Sequence, residues 1–446
     1  MNRIYILLFS LLLPILMYTI PDKGNDPTLR VFVSSLAIQI ICIIFIFKEK
    51  YIPYSLNKTL YLFIFFFFGI APYLQFQSGA TFFGARAIKE NEYFLMNVLI
   101  LFIIFIYQGC YWMFSKKKKS ALKIRFIKRF EIPDKLNKIR VFLLLALALL
   151  SFFMIFQANN FSLLSMLFRG GEFKESTVGS KTSALIIFRV FQPLSMMSLL
   201  FYILTKSKNI FVLSIMFLLT LITCFPLGMA RFSAAALYLP LLLIVVPWFK
   251  KSNFFSITFI MGLLIVFPFL NNFRHFSKDQ QIHFGFDFEM FNEGHFDCYQ
   301  NFTLVTMENI VTYGRQFVGV LLFWVPRSVW PNKPIGSGAF LADEMGFYFS
   351  NVSCSYFAEG YINFGIFGII LFTVFMSYIT ARFDKYYWEI VLHQNNNYFK
   401  VIYFLLIGIL FFILRGDLMS SFAFTVGFLI SILLVHMTAR TKIKIR

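Results

Sequence analysis

Charged residues are scarce in this chain, and acidic residues are the scarcest. Only 14% of the 446 residues are charged, with 21 Asp and Glu against 41 Lys and Arg. A water-soluble globular domain has a charged share of about a quarter. The low charge, together with a hydrophobic share of 59%, excludes such a domain and predicts a protein that is embedded in lipid.

Metal-ligand and redox motifs are also missing. The chain has five Cys and five His, with no CxxC, no HExxH and no cluster with metal-ligand spacing. We therefore predict neither a metal nor a cofactor. Cys298 and Cys354 fall in the same polar insertion, so a disulfide between them stays an open alternative to two inert thiols.

Long apolar runs make up most of the sequence. Runs of about 17 to 22 uncharged residues can cross a hydrocarbon layer of about 30 Å at a rise of about 1.5 Å per residue. We predict an all-α polytopic integral membrane protein with about twelve transmembrane helices and one large outward-facing loop that contains short helices. The predicted spans lie near residues 4–20, 29–47, 59–76, 93–114, 139–157, 183–204, 210–226, 230–249, 254–270, 361–381, 399–415 and 420–437.

The distribution of Lys and Arg predicts the orientation, because cytoplasmic loops retain positive charge. With twelve spans, the basic segments and both termini fall on one side, which we expect to be cytoplasmic. Residues 116–119, a run of four Lys, have no aromatic platform beside them, so we expect membrane lipids rather than nucleic acid as their partner. The basic segments are 48–58, 116–140, 206–208, 250–251, 382–400 and 440–446.

The predicted topology divides the chain into three parts. Residues 1–270 hold spans one to nine, and residues 361–446 hold spans ten to twelve and a cytoplasmic tail. Residues 271–360 between them form the large loop on the other side of the membrane. Its apolar stretch near 310–325 carries Arg315 and Gln316, so we predict a helix that lies in the membrane interface rather than a further span.

Arg outnumbers Lys among the basic residues outside the predicted cytoplasmic segments, which membrane topology alone does not require. A guanidinium group stays charged when partly buried and presents a planar set of donors that fits a phosphate. Arg189 lies within a predicted span, where a cation needs a partner or a polar cavity. The pattern predicts an outward-facing site for a lipid-linked phosphate or pyrophosphate. The residues are Arg30, Arg86, Arg169, Arg189, Arg231, Arg274, Arg315, Arg327 and Arg415.

Four segments resemble those of one enzyme family. Residues 326–334, Pro-Arg-Ser-Val-Trp-Pro-Asn-Lys-Pro, are similar to the PR-x-x-W-P-x-K-P segment of bacterial O-antigen polymerases of the Wzy type. Residues 228–231 resemble that family's Gly-rich Arg turn, 358–365 its Glu-x-Tyr-x-Asn-Phe-Gly segment, and 415–417 the Arg turn between its last two helices. The chain departs from the family at Met229-Ala230, where a Gly-Gly pair is expected, and in the spacing from Arg169 to Gly179.

The resemblance implies a metal-independent membrane glycosyltransferase. It would polymerise oligosaccharide repeat units linked to polyprenyl (undecaprenyl) pyrophosphate at the periplasmic face of the bacterial inner membrane. The product would be O-antigen or a related surface polysaccharide, and a chain-length regulator protein is an expected partner. The multi-pass chain would have both termini in the cytoplasm.

The expected site combines cations for the leaving group with polar groups for the sugars. We predict that three Arg bind and stabilise the pyrophosphate, that three more Arg are further candidates for binding it, and that a Glu acts as general base or pairs with an Arg, with His275 as a competing base. Four further residues are expected to contact sugar. In that order, the residues are Arg231, Arg327 and Arg415; Arg189, Arg274 and Arg169; Glu359; and Lys333, Trp330, Asn363 and Asp417.

Two other functions fit part of the pattern. An O-antigen ligase would use the same donor but transfer the glycan to a lipid A core, and only an acceptor test separates it from a polymerase. A lipid-linked oligosaccharide flippase would have charged residues spread through the centres of many spans. The charges here gather at the ends of the predicted spans, which disfavours transport.

Overall fold

The computed structural model describes residues 2–19, 25, 27–49, 51–116, 130–168, 186–206, 208–266, 289–394 and 397–440. Over these residues the chain forms helices and no β-strand. In chain order the main helices are α1 Asn2–Thr19, α2 Leu29–Lys48, α3 Leu56–Ser78, α4 Glu90–Lys116, α5 Lys138–Ala158, α6 Ile187–Ile203, α7 Ile210–Thr223, α8 Arg231–Val245, α9 Phe254–Met261, α10 Cys298–Met307, α11 Arg315–Leu321, α12 Ser337–Met345, α13 Tyr356–Tyr386, α14 Phe399–Arg415 and α15 Leu418–Arg440.

Six of the described helices are long and apolar enough to cross a membrane, by length and composition. The all-helical character and the membrane-type helices of the predicted fold are therefore confirmed, while the number of twelve spans and the outward-facing loop stay predictions. Many large apolar side chains of these helices are exposed, among them Phe105, Phe142 and Phe367, as expected for surfaces that face lipid. The six helices are α2, α3, α4, α5, α13 and α15.

A buried polar contact holds α2 against α3 within the apolar layer. The middle of α3 widens into a π-helical turn over Ile64–Ile70, which disturbs the regular backbone hydrogen bonds. The Gln39 Nε2 atom donates to the Gly69 carbonyl oxygen at 3.0 Å, and a Cβ at position 69 would come within 2.9 Å of the Gln39 side chain. The close approach therefore depends on glycine, and the contact fixes the register of the two helices.

Asp384 ties four helices together at one end of the bundle. Its buried carboxylate accepts the backbone N–H groups of Leu56 at 2.8 Å and Asn57 at 3.1 Å. It also accepts the hydroxyl groups of Tyr111 at 2.9 Å and Tyr403 at 2.6 Å. Four donors satisfy both oxygens, so this carboxylate joins the start of α3, the end of α4, the end of α13 and the start of α14.

The described parts of the Lys-rich segments 116–140, 206–208 and 382–400 lie at this same end. The Lys385 Nζ atom donates to the Ser115 carbonyl oxygen at 2.6 Å, and Lys206 forms an ion pair with Asp134 at 2.8 Å. The contacts join the segments that were predicted to be cytoplasmic. Which side of a membrane this end faces stays a prediction.

Residues 289–355 cover the opposite end of the bundle with the short helices α10, α11 and α12. The Gln75 Nε2 atom, near the end of α3, donates to the carbonyl oxygens of Phe291 at 2.8 Å and Phe296 at 3.0 Å. The stretch predicted as an interfacial helix contains α11, which has only seven residues and is too short to cross a bilayer. Its depth in a membrane stays a prediction.

A sharp reversal divides α13 near its start. Phe364 and Gly365 leave the helical region, with Gly365 at φ +60° and ψ −148°. The chain folds back, so that the Tyr356 hydroxyl donates to the Phe372 carbonyl oxygen at 3.1 Å. A Cβ at position 368 would lie 1.8 Å from the Gly360 carbonyl oxygen. The first two turns of α13 are therefore a separate short helix that packs on the long one.

We expect Gly365→Ala to destabilise the protein by about 1 to 3 kcal/mol, because only glycine readily adopts this combination of φ and ψ. Open space surrounds the position, with no atom within 4 Å of a Cβ built there, so the cost is one of backbone conformation. Thermal unfolding of the purified protein in detergent measures it. Gly109→Ala is the matched control, since Gly109 is helical and also surrounded by open space. Equal unfolding temperatures for the two variants would contradict the assignment.

Candidate functional site

Three of the nine arginines singled out from the sequence are held in ion pairs with carboxylates. Such pairs account for these residues without any ligand, and exposed pairs contribute little to stability. They link helix ends and loops at the end of the bundle opposite the Lys-rich segments. The pairs are Arg30 with Glu90 at 3.0 Å, Arg86 with Glu92 at 2.9 Å and Glu308 at 2.7 Å, and Arg415 with Asp297 at 3.6 Å.

Arg189, Arg315 and Arg327 form a second group. None of the three has a carboxylate within 4.0 Å in the described part of the chain. Lys333 lies near all three: it is hydrogen-bonded to Arg327, it is within electrostatic range of Arg189, and it lines a cavity together with Arg315. Their positive charges are therefore not neutralised by direct ion pairs, which is the condition that an anion-binding site requires.

Residues 323–334 fold on themselves around two cations. The Arg327 guanidinium donates from Nη1 to the Lys333 carbonyl oxygen at 2.7 Å and from Nη2 to that of Pro334 at 3.3 Å. The Lys333 Nζ atom donates to the carbonyl oxygens of Phe323 at 2.5 Å and Val325 at 3.0 Å. Prolines prevent a continuous helix here and leave backbone carbonyls without helical partners. The two cations satisfy these carbonyls, and Arg327 stays exposed.

The field around Lys333 is positive. Partial burial, followed by the charges of Arg327 and Arg189, lowers the pKa of the Lys333 ammonium below its ordinary value. Arg189 belongs to α6, more than a hundred residues before the loop, so the fold brings separate parts of the chain together. We call Arg189, Arg327 and Lys333 the cation cluster. A bound anion would relieve their mutual repulsion.

Arg189 projects from a π-helical turn, Ile187–Phe191, at the start of α6. Its guanidinium lies 4.9 Å from the centre of the Phe424 ring in α15, where a cation–π contact offsets part of its desolvation. Asp417, on the turn between α14 and α15, is within electrostatic range of Arg189 but forms no ion pair with it. One Asp417 oxygen instead accepts the Ser420 N–H at 2.9 Å and caps α15.

Arg231 is the first residue of α8 and is half-buried. The next residue, Phe232, stacks on Phe412 of α14 with ring centres 3.7 Å apart, and meets Phe424 edge-on at 4.9 Å. Phe232, which follows Arg231, and Phe424, which contacts Arg189, therefore belong to one aromatic cluster that joins α8, α14 and α15. The predicted role of Arg231 at the pyrophosphate stays a prediction.

Arg415 is turned toward the segment that precedes α10. Its Nε donates to the His295 carbonyl oxygen at 2.7 Å, and its Nη2 approaches that of Gly294 at 3.3 Å. These bonds and the ion pair with Asp297 occupy much of the guanidinium. The geometry thus favours a structural role in anchoring this segment over direct contact with a pyrophosphate.

Asp297, which sequence reasoning missed, is the centre of this anchor. Its buried carboxylate accepts the Ser353 N–H at 3.0 Å, the Ser353 hydroxyl and the Asn301 amide at 3.1 Å. The contacts bring residues 297–301 and 353 together, and they place Cys298 and Cys354 near each other as buried, free thiols. The one signal in the sequence that could have indicated a role for Asp297 is that acidic residues are scarce in this chain.

Glu359 is fully buried in the short helix before the α13 reversal. One carboxylate oxygen accepts the Ser337 hydroxyl at 2.8 Å, and the other accepts the Leu418 N–H at 2.8 Å. The side chain therefore joins α12, α13 and the N-terminus of α15. Neither oxygen reaches solvent, so the geometry favours positioning these helices over direct proton abstraction from a substrate.

Asn363 and Trp330 differ in their access to a ligand. Asn363 is buried, its Oδ1 accepts the Phe317 N–H at 2.7 Å, and its Nδ2 donates to the Glu359 carbonyl oxygen at 2.9 Å. It thereby caps α11 from another helix. Trp330 is half-buried and remains accessible. The sugar-binding roles predicted for both, and for Lys333 and Asp417, stay predictions.

Three predicted site residues, Arg169, Arg274 and His275, lie outside the described residues. Within the described ranges no group of three or more His, Cys, Asp or Glu is placed to hold a metal ion. Comparisons with protein-family models, curated proteins and solved structures return no match. The candidate site therefore depends on its own geometry, in which the cation cluster is the central feature.

Proposed function

We propose that this protein is a membrane glycosyltransferase that polymerises oligosaccharide repeat units carried on a polyprenyl pyrophosphate. The observation that supports the proposal is the cation cluster of Arg189, Arg327 and Lys333, whose charges have no direct ion pair among the described residues. It lies at one end of a bundle of apolar helices, opposite the Lys-rich end. Such a place suits a ligand with a lipid tail in the membrane and a charged pyrophosphate at its surface.

The proposed reaction transfers a glycan from one carrier to another. A sugar hydroxyl of the acceptor unit attacks the anomeric carbon of the growing chain, a new C–O bond forms, and the bond from that carbon to the pyrophosphate oxygen breaks. The hydroxyl proton leaves to a base, and the lipid pyrophosphate departs with increased negative charge. Preorganised cations stabilise this charge, and each such contact contributes about 3 kcal/mol to lowering the barrier.

The described geometry leads us to divide the roles of the predicted residues. Arg327, Arg189 and Lys333 would bind the pyrophosphate, with Arg231 close to the same aromatic cluster. Glu359, Asn363 and Arg415 would hold the short helices in place. We place the site at the periplasmic face of a bacterial inner membrane, with both termini in the cytoplasm, a lipid-linked oligosaccharide as substrate and a chain-length regulator as partner. The resemblance of residues 326–334 to O-antigen polymerases supports this proposal.

Deletion of the encoding gene tests the proposed function. We expect the lipopolysaccharide gel to lose its ladder of O-antigen lengths while a single attached repeat unit remains, because ligation of one unit does not need the polymerase. Complementation with the wild-type gene restores the ladder. Complete loss of attached O-antigen would instead indicate a ligase or a flippase, and an unchanged ladder would refute all three functions.

A further inference from the structure

A cavity of about 450 Å³ lies beside the cation cluster, between residues 311–316 and 332–340. This volume is within the range of about 300 to 1,000 Å³ that is typical of small-ligand sites. The cavity shares Lys333 with the cation cluster, and it adds Arg315, which was predicted only as one of the phosphate-site arginines. Its lining includes Thr312, Arg315, Gln316, Lys333, Ile335 and Phe340.

The polar groups of the cavity have unmet hydrogen-bonding capacity of two kinds. Arg315 is exposed and has no carboxylate partner in the described structure, so it offers donors and a positive charge beside those of Lys333. Gln316 is buried, and its Oε1 atom has no hydrogen-bond partner among the described residues. A buried carbonyl oxygen of this kind needs a donor. A matching ligand therefore carries both an anionic group and a hydroxyl or amide donor.

The wall that carries Arg315 and Gln316 is held in a fixed position. The Thr312 N–H donates to the Ile362 carbonyl oxygen at 2.6 Å, and the Gly314 N–H donates to that of Asn363 at 2.8 Å. The Asn363 side chain accepts the Phe317 N–H, as described above. These three bonds clamp residues 312–317 to the short helix of α13. The cavity is thus preorganised, which lowers the entropic cost of binding.

We propose that this cavity binds a carboxylate-bearing sugar residue of the acceptor oligosaccharide, an inference that rests on the proposed function. The carboxylate meets Arg315 and Lys333, a sugar hydroxyl donates to Gln316 Oε1, and the C–H face of the ring packs on Phe340 and Ile335. A phosphate ion alone fits less well, because at neutral pH it offers few donors to Gln316. Since Lys333 belongs to both the cation cluster and the cavity, the acceptor sugar would lie next to the leaving pyrophosphate.

Direct binding tests the assignment without relying on turnover. The full-length protein in nanodiscs of zwitterionic lipid is titrated by calorimetry with a glucuronic-acid-containing disaccharide and with the corresponding glucose-containing one. We expect the acidic disaccharide to bind at least about tenfold more tightly, and Arg315→Gln to remove that preference. Arg315→Lys retains part of it. Gln316→Glu, which places a negative charge in the cavity, weakens acidic binding, and Lys89→Gln, an exposed cation elsewhere, changes nothing.

Three results would overturn the inference. Equal affinities for the two disaccharides would show that no carboxylate is recognised, and unchanged binding by Arg315→Gln would place recognition elsewhere. Tighter binding of glycerophosphoglycerol, lost in Arg315→Gln, would make the cavity a lipid-headgroup site. Different results refute the polymerase function and the acceptor-binding role of the cavity. An unchanged ladder after gene deletion refutes the polymerase, whereas an intact ladder in an Arg315→Gln strain that has lost acidic binding refutes only the acceptor role.

Discussion

Replacing Arg327 by Gln is expected to lower the rate of polymerisation by about a hundredfold. Gln has a similar polar end but no charge, so it loses the electrostatic stabilisation of the departing pyrophosphate, worth about 3 kcal/mol. Arg189→Gln should have a comparable effect, and the double variant should fall further, though by less than the product because both residues act on one ligand. The assay is in vitro extension of lipid-linked repeat units at equal protein concentrations.

Arg327 also stabilises its own loop through hydrogen bonds to the carbonyl oxygens of Lys333 and Pro334. A lower rate caused by the missing charge must therefore be distinguished from one caused by local unfolding of this loop. Limited proteolysis of the loop in each variant reports on that unfolding, and Arg327→Lys restores charge without the planar set of donors. Arg30→Gln is the matched control, since Arg30 is half exposed, lies at the same end of the bundle and pairs with Glu90. Wild-type rates in the Arg189→Gln/Arg327→Gln double variant would defeat the assignment of the cation cluster.

The positions of the helices follow closely from the sequence. The runs predicted near 29–47 and 399–415 correspond to α2 Leu29–Lys48 and α14 Phe399–Arg415. An unbroken apolar run has few ways to satisfy its backbone except as a helix, so local composition is sufficient for this prediction. The predicted start of the tenth span, residue 361, was less accurate. The helix begins at Tyr356 and reverses at Gly365, because hydropathy records neither the hydrogen bond that Asn363 makes to Phe317 nor the backbone conformation that Gly365 adopts.

The partners of the charged residues could not be read from the sequence. Arg231, Arg327 and Arg415 look equivalent along the chain, yet Arg415 is engaged by residues 294–297 while Arg327 is bonded to its own loop. Such pairings depend on tertiary contacts between distant segments, and hydropathy and composition are local properties. For the same reason Asp297 was missed, and Gln316 was noted only as a polar residue in an apolar stretch. A lone acid or amide at the start of a short helix has no periodic pattern to mark it.

Glu359→Ala is expected to cost about 3 kcal/mol or more in the free energy of unfolding. The change leaves the Ser337 hydroxyl and the Leu418 N–H without their acceptor, and each buried unsatisfied donor costs about 1 to 3 kcal/mol. The space left by the side chain adds a cavity term. Thermal unfolding in detergent and the yield of folded protein measure the loss. An unfolding temperature equal to that of the wild type would mean that the carboxylate does not join α12, α13 and α15 as described.

Glu359→Gln separates positioning from general-base catalysis at the same residue. The Gln carbonyl oxygen can accept the Leu418 N–H, and its amide can donate to the Ser337 oxygen, so the three helices stay joined. The side chain can no longer take up a proton, and the loss of a general base costs about 10² to 10⁴ in rate. Because both carboxylate oxygens are buried and engaged within the protein, we expect this variant to keep its fold and to polymerise within about tenfold of the wild-type rate. A thermally stable Glu359→Gln protein that has lost a thousandfold in rate would instead make Glu359 the base, and would require the short helix of α13 to open when substrate binds.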